Sequence, residues 1–183
     1  GWELEAFYLK DSNFLKRLIL KYALHKIRIW DVSSACRVDQ FIANSAFVKA
    51  RVNKYYRREA EIINSPVRAL PKIKAYPKRP NHFVSCCRLV SYKRMDLLVK
   101  AFQQMPEAKL FLIGDGEERK ALEKLNLNGN VKFLGRLDDQ AMAEQIAQAE
   151  AFLYPALEDF GLVMIEALAL GTPIIAYGEG GAL

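Results

Sequence analysis

The sequence is poor in the residues that build metal sites and covalent frameworks. It holds three cysteines and two histidines in 183 residues. Cys36, Cys86 and Cys87 make no Cys-x-x-Cys pair, so no zinc site is expected. Cys86 and Cys87 lie inside an apolar run and read as packed, reduced thiols, which fits a cytosolic compartment. There is no Asp-x-Asp element of the kind that holds a metal and a diphosphate together. No run of eighteen apolar residues occurs, so no membrane-spanning helix is expected. No signal peptide is visible, because Gly1 opens directly into a mixed segment with Glu3 and Glu5. Internal repeats and low-complexity segments are absent. The missing initiator Met, and a last segment Gly180-Gly181-Ala182-Leu183 that is a turn signal, lead to the expectation of an excerpt from a longer chain.

What is present is a hydrophobic share of 51%, enough to fill a core. The length suits about one domain, but the net charge of +6 is unevenly spread. Residues 1–80 carry 17 Lys and Arg against 7 acids, net +10; residues 81–183 carry 10 against 14, net −4. That asymmetry marks two different pieces.

From Phe83 onward, short apolar runs alternate with helical patterns. FVSCC, KLFLIG, VKFLG, AFLYP and PIIAY read as strands. Between them, Met95 to Gln104, Glu117 to Leu125, Asp139 to Ala149 and Gly161 to Leu170 read as helices. Acids sit in the first turn of the second of these, and Asp138-Asp139 offer a cap for the third. Five apolar strands and four helices predict an α/β fold, a doubly wound parallel sheet covered on both faces. The front part differs. Ser12 is the expected cap of a helix from Asn13 to about Ser34, with Phe14, Leu15, Leu18, Ile19, Tyr22, Ala23, Ile27 and Trp30 as its apolar stripe. FIANS and EIIN read as strands around a helix from Phe47 to Tyr56. Pro66, Pro71, Pro77 and Pro80 then crowd one stretch, which predicts a stiff linker. The expected division is residues 1–66, a linker at 67–81, and a sheet domain at 82–183.

Open parallel sheets bind ligands beyond the carboxyl ends of their strands. Those ends lead into Arg88 and Lys93, into Gly114-Asp115-Gly116, into Gly135-Arg136, into Glu158-Asp159, and into Tyr177-Gly178. Arg88 and Lys93 offer a planar fork and a compact charge to phosphate oxygens; the plainer alternative is two surface cations opening a helix. Phe160-Gly161-Leu162 open the fourth helix, whose amides are a seat for phosphate, or else Gly161 only permits a tight turn. Glu158 and Glu166, with seven residues between them, suit sugar hydroxyls. Glu166 lies among Val163, Met164, Ile165, Ala167 and Leu168, where a charge is costly unless paired; the alternative is an exposed Glu on the solvent face. Gly114-Asp115-Gly116 is a common strand-to-helix turn. His25 and His82 carry no assigned role.

Together these segments resemble glycosyltransferase family 4, a large retaining family of the GT-B fold. The likeness is most specific in FLYPALEDFGLVMIEALALGTPIIA and extends through CCRLVSYKRMDLLVKAF, KLFLIGDGEE and VKFLGRL, with DQFIANSAFVKARVNKYY similar to the close of the acceptor-side domain. The resemblance implies that residues 1–66 are a remnant of the acceptor-side domain and that residues 82–183 are the Rossmann-like donor domain. It implies that Arg88 and Lys93 bind the donor diphosphate and that Glu158 contacts the donor sugar near its reacting carbon. Glu166 would hold the ribose, and Phe160, Gly161 and Leu162 would line the sugar and phosphate pocket. Gly114 would join the donor site, and Gly135, Arg136 and Leu137 would flank the base. No metal and no resident cofactor are expected, since Arg and Lys serve in their place.

The implied reaction is transfer of a hexose, with mannose from GDP-mannose as the leading donor, to a polysaccharide or glycolipid acceptor with retention. The fragment alone is expected to be inactive. A non-catalytic nucleotide-binding module and a sugar-nucleotide epimerase of the same fold are the rival readings. Residues 12–30, with Lys16, Arg17, Lys21, Lys26 and Arg28, suit peripheral contact with an anionic membrane or a solvated basic face on a domain-packing helix. Nucleic acid is not an expected partner, because the positive charge is confined to one end. The expected location is the cytoplasm, peripheral to the inner face of the membrane.

Overall fold

A computed structural model describes residues 13–73, 77–78 and 80–182. The chain divides between Asn64 and Ser65 into two units.

In the first unit, helix α1 spans Phe14–Ala35. Its sequence contains neither Gly nor Pro and is rich in Leu, Lys and Arg, all good helix formers. Asn13 caps it, its side chain accepting from the Lys16 amide at 3.0 Å; the Ser12 expected as cap lies outside the described residues. At the far end the Ser33 and Ser34 hydroxyls donate back to the Ile29 and Asp31 carbonyls, which competes with further helix. Strand β1 is Phe41–Ala43, helix α2 Ala46–Tyr56 and strand β2 Ala60–Ile62. FIANS is therefore strand only to Ala43. Ser45 leaves the strand because its hydroxyl caps α2, accepting from the Val48 amide at 3.1 Å. β1 and β2 pair in parallel. A small cluster of Ala43, Val52 and Ala60 is packed with Phe41, Val48 and Tyr56.

The second unit holds five strands: β3 His82–Cys86, β4 Lys109–Ile113, β5 Val131–Gly135, β6 Ala151–Tyr154 and β7 Ile174–Ala176. Its helices are α3 Met95–Gln103, α4 Arg119–Leu125, α5 Asp139–Gln148 and α6 Leu162–Ala169. The sheet order is β5-β4-β3-β6-β7, and every pairing is parallel. The chain winds outward from β3 through β4 to β5, then returns past β3 to lay down β6 and β7. The expected doubly wound α/β sheet is present. Leu110, Leu112, Met95, Val99, Phe102 and Leu122 form a core under α3 and α4. Val84, Phe152, Tyr154, Ile146, Met164 and Ala167 form the other under α5 and α6. All of β6 is buried, as expected of a strand covered on both faces. His82 opens β3 only 2% exposed, its ring tilted on Phe111 at 4.2 Å.

Two further element boundaries, both in the second unit, differ from the sequence reading for identifiable reasons. Helix α4 starts at Arg119, not Glu117, and carries no acid in its first turn. The Glu118 amide is engaged by the Leu89 carbonyl at 3.1 Å, which holds the preceding turn out of the helix. Helix α6 starts after Gly161, whose φ of +81° makes it a left-handed cap. The Asp138 cap of α5 is present, accepting from the Ala141 amide at 2.8 Å.

The described part of the proline-rich stretch lies in the second unit. Lys78 donates to the Ala147 and Gly171 carbonyls and to the Thr172 hydroxyl, at 3.1, 3.2 and 3.1 Å. Burial lowers the pKa of this ammonium. Its position beyond the end of α5 suits the negative pole of that helix.

Candidate active site

The sense of winding reverses between β3 and β6, and such a switch point opens a crevice at the carboxyl ends of the two strands. The chain leaves β3 through Cys87, Arg88 and Leu89, and this exit is clamped by the turn that leaves β4. The Cys87 amide donates to Ile113, the Leu89 amide to Asp115 and the Glu118 amide to Leu89. A methyl group on Gly114 would lie 1.9 Å from the Cys87 carbonyl oxygen, and one on Gly116 2.2 Å from that of Leu89. Gly114 also has φ +120° and donates its amide to the Gly135 carbonyl at 2.7 Å. Both glycines serve close backbone approach; what they position is Arg88, exposed at the rim.

After Leu89 and Val90 the chain makes a single 3₁₀ turn, Ser91–Lys93, and Arg94 takes a left-handed φ of +55° before α3. Lys93 therefore precedes the helix, which starts at Met95 as the sequence reading has it; the alternative of two cations opening the helix does not describe it. Its ammonium reaches across the switch point and donates to the Tyr154 hydroxyl at 2.8 Å and to Glu158 Oε2 at 2.5 Å. Tyr154, the last residue of β6, donates its own hydroxyl to the same carboxylate oxygen at 2.6 Å. The Lys93 and Glu158 side chains are 16% and 25% exposed, so water screens this triangle weakly. Burial, and then the hydrogen bond to Glu158, raise the Tyr154 pKa, so the phenol stays a proton donor across the physiological range.

A second pairing lies beside it. Glu166, in the second turn of α6, is only 12% exposed at its side chain. Its Oε1 accepts from Arg68 Nε at 2.8 Å, and the other end of the same guanidinium donates to Asp139 Oδ2 at 2.7 Å. The two pairings converge on the end of β3. Burial pushes the Cys86 thiol up to about 11, and Glu166 and Arg68 are the charges it feels. Burial likewise pushes the adjacent Cys87 up to about 12, and beyond its neighbour thiol the charges it feels are Lys93 and Glu158.

The loop between β6 and α6 is held from the other side. The Gly181 amide donates to the Glu158 carbonyl at 2.7 Å, and a methyl on Gly181 would lie 2.4 Å from the Asp159 carbonyl oxygen. Gly161 also sits close to Met164, whose Cε would be 2.1 Å from an added methyl. Phe160, half-buried, lines a cavity of about 370 Å³ with Met164, Ile165, Ile174 and Tyr177. Leu162 is exposed at the first turn of α6. On the β5 side, Gly135 turns with φ +70°, Arg136 is exposed and Leu137 packs against the core under α5.

The structure thus brings Lys93 and Glu158 into contact and sets Glu166 beside them at the end of β3. Arg88 leaves the same strand. Gly114 and Gly135 meet each other through their backbones, and Arg136 and Leu137 follow at the end of β5. Sequence reasoning missed Tyr154, Arg68 and Asp139. Tyr154 had a signal, a phenol at the carboxyl end of a parallel strand. Arg68 had none, since it stands 98 residues from Glu166. Chemically, the rim can receive a multiply charged anion on Lys93, Arg88 and the first turn of α6. It also presents two carboxylates as acceptors for hydroxyl groups.

Comparison with known proteins identifies the family and the fold. The family profile of glycosyl transferases group 1 matches residues 67–183. Over 109 residues the chain is 40% identical to a GDP-mannose-dependent monoacylated alpha-(1-6)-phosphatidylinositol monomannoside mannosyltransferase of Corynebacterium glutamicum, covering 52% of this chain and 29% of that one. It is 26% identical over 160 residues to the GtfA subunit of a UDP-N-acetylglucosamine–peptide N-acetylglucosaminyltransferase of Streptococcus pneumoniae, covering 81% and 32%. The fold is similar to that of the Anabaena HepE crystal structure in complex with UDP and glucose, with a TM-score of 0.67 at 25% identity, covering 85% of this chain and 49% of that one. The matches thus span about three tenths of the length of these two curated relatives. With a matching profile over well more than half its length, the chain belongs to the glycosyl transferases group 1.

Proposed function

We propose that this chain carries the donor site of a retaining family 4 glycosyltransferase that moves mannose from GDP-mannose to a polysaccharide or glycolipid acceptor without a metal ion. The observation that carries the reading is the pairing of each site carboxylate with its own cation at the switch point, Glu158 with Lys93 and Glu166 with Arg68. The donor's name in the Corynebacterium relative supports GDP-mannose.

In this reading Lys93 and Arg88 take the diphosphate, helped by the amides at the first turn of α6. Glu166 accepts from the ribose hydroxyls, and Gly135, Arg136 and Leu137 flank the base. Glu158 faces the sugar near its reacting carbon, next to Phe160 and Gly161. An incoming diphosphate draws Lys93 from Glu158. Tyr154 keeps its hydrogen bond to the carboxylate, so Glu158 remains oriented and charged. As the bond from the sugar to the phosphate breaks, positive charge grows on the sugar and negative charge on the leaving group. Glu158 stabilises the first; Lys93 and Arg88 stabilise the second. Retention follows attack on the face the phosphate leaves. The acceptor's membrane would meet α1, where Leu18, Ile19 and Trp30 are exposed among Lys16, Arg17 and Lys21. The enzyme would then work in the cytoplasm, at the inner face of the membrane.

The test is a calorimetric titration with GDP-mannose, UDP-glucose and UDP-N-acetylglucosamine in EDTA, repeated on Glu166→Ala and Arg88→Ala. The expected result is saturable binding of GDP-mannose, weakened at least about tenfold in each variant. Binding that requires a divalent cation, or that survives both substitutions, overturns the reading. Transfer by the full-length enzyme, with the anomer of the product read by NMR, separates a transferase from a binding module and tests retention.

A further inference from the structure

The proposed ribose acceptor, Glu166, is held by a residue from outside the sheet. Arg68 belongs to the segment that precedes β3, and its guanidinium spans two helices. Nε donates to Glu166 on α6 at 2.8 Å, and a terminal nitrogen donates to Asp139 in the first turn of α5 at 2.7 Å. Three features of this bridge bear on function rather than on stability.

The first is geometry. A carboxylate offers about four acceptor positions. Arg68 takes one, on Oε1, and leaves Oε2 and the remaining positions for a ligand. A planar guanidinium bonded at both ends also fixes the side chain it touches, which an ammonium with one contact does not. The second is burial. Glu166 is 12% exposed while Arg68 is 45% exposed, so the arginine comes from the wet side to a carboxylate that the apolar helix would otherwise leave unpaired. The third is charge. The candidate site carries two carboxylates, yet it must take up a diphosphate. Lys93 balances Glu158, and Arg68 balances Glu166. Without Arg68 the approaching anion meets an uncompensated negative charge at the end of β3.

From these observations we infer that Arg68 is a positioning residue of the donor site, orienting Glu166 for the ribose of a nucleoside diphosphate and cancelling its charge against the diphosphate. This inference rests on the donor-site reading given above. Arg68 itself does not touch the sugar or the reacting atoms; it acts through Glu166.

The experiment is calorimetric titration of GDP, with UDP in parallel, into the wild-type chain and into Arg68→Gln, Arg68→Lys, Glu166→Gln and the Arg68→Gln/Glu166→Gln double variant. A thermal melt of each variant serves as the folding control. Arg68→Gln is expected to weaken nucleotide binding about five- to twentyfold, because it leaves a largely buried carboxylate without its partner. Arg68→Lys restores part of the loss, the charge but not the fork. In the Glu166→Gln background, Arg68→Gln is expected to add less than about twofold, the non-additivity of two residues acting as one. In the full-length transferase the same substitution raises the donor KM and leaves kcat near its original value.

The outcomes separate cleanly. Wild-type affinity in Arg68→Gln overturns the inference alone. Tighter binding in Arg68→Gln overturns it too, and makes the arginine a competitor for Glu166. An undiminished loss in the Glu166→Gln background shows that Arg68 acts elsewhere. A wild-type chain that binds neither nucleotide overturns the donor-site reading first, and this inference with it.

Discussion

The two units of the chain treat their large apolar residues in opposite ways. In the second unit Leu89, Val99, Phe102, Leu110, Leu112, Ile146 and Phe152 are almost fully buried, and two cores sandwich a five-stranded sheet. In the first unit the buried cluster is Ala43, Val52 and Ala60, while Phe14, Leu15, Ile19, Tyr22 and Trp30 on α1 are each more than 60% exposed. The second unit covers its sheet on both faces; among the described residues, the first has two short parallel strands with one small helix against them, and a long helix α1 with an exposed apolar stripe. The candidate site lies wholly in the second unit. Catalytic groups need positions fixed within fractions of an ångström, and only a packed sheet with clamped loops supplies that.

Cutting the chain between residues 64 and 65 gives the largest expected effect. Residues 65–183 should unfold cooperatively in urea, whereas residues 1–64 should show no cooperative transition, since so small a core cannot offset chain entropy. A cooperative melt of the shorter piece would erase the contrast.

Within the second unit, Gly114→Ala should cost more than ~3 kcal/mol of unfolding free energy, because it combines a forbidden φ with a clash against a backbone carbonyl. Gly129→Ala, also at positive φ but with open space around it, should cost only about 1 kcal/mol. Equal losses in denaturant titrations would mean that the clamp on the Arg88 loop does not matter.

A smaller effect follows from the thiols. Burial raises Cys86 to about 11 and Cys87 to about 12 from 9.0. The native state therefore holds these protons more tightly than the unfolded chain. Their contribution is full below pH 9 and is lost as pH rises from 9 toward 11 and 12, at no more than about 1.4 kcal/mol per pH unit per thiol. The measurement is the pH dependence of unfolding in the wild type and in a Cys86→Ala/Cys87→Ala variant; superimposable slopes above pH 9 would contradict it.

The smallest expected effect is on α1. Leu18→Gln or Trp30→Gln should change stability by less than about 0.5 kcal/mol, as for exposed positions generally. A loss several times larger in denaturant titration would show that the stripe is packed in solution and would remove the contrast between the units.

The sequence was most legible where one local pattern sufficed. All five strands of the sheet and the four helices between them follow from apolar runs and helical spacing, and the residue types that follow β3 and β6 could be read directly. It was least legible where two distant segments share a group. Helix α4 starts two residues late because Glu118 serves Leu89. Lys93 reads as a rim cation for phosphate oxygens, but no local pattern shows that its ammonium donates to Tyr154 and Glu158 across the switch point.

What the sequence by itself determined is the alternation of strands and helices, the asymmetry between the two pieces and the chemical types at each strand end. Periodicity, glycine and proline are local signals, and local signals survive without a fold. Only the tertiary structure decided the order of the strands, and with it the switch point between β3 and β6 where Lys93, Tyr154 and Glu158 meet. It alone joined Arg68 to Glu166 and Asp139. Such pairings depend on which buried charge finds an opposite partner within reach after the sheet has closed, and no spacing along the chain encodes that distance.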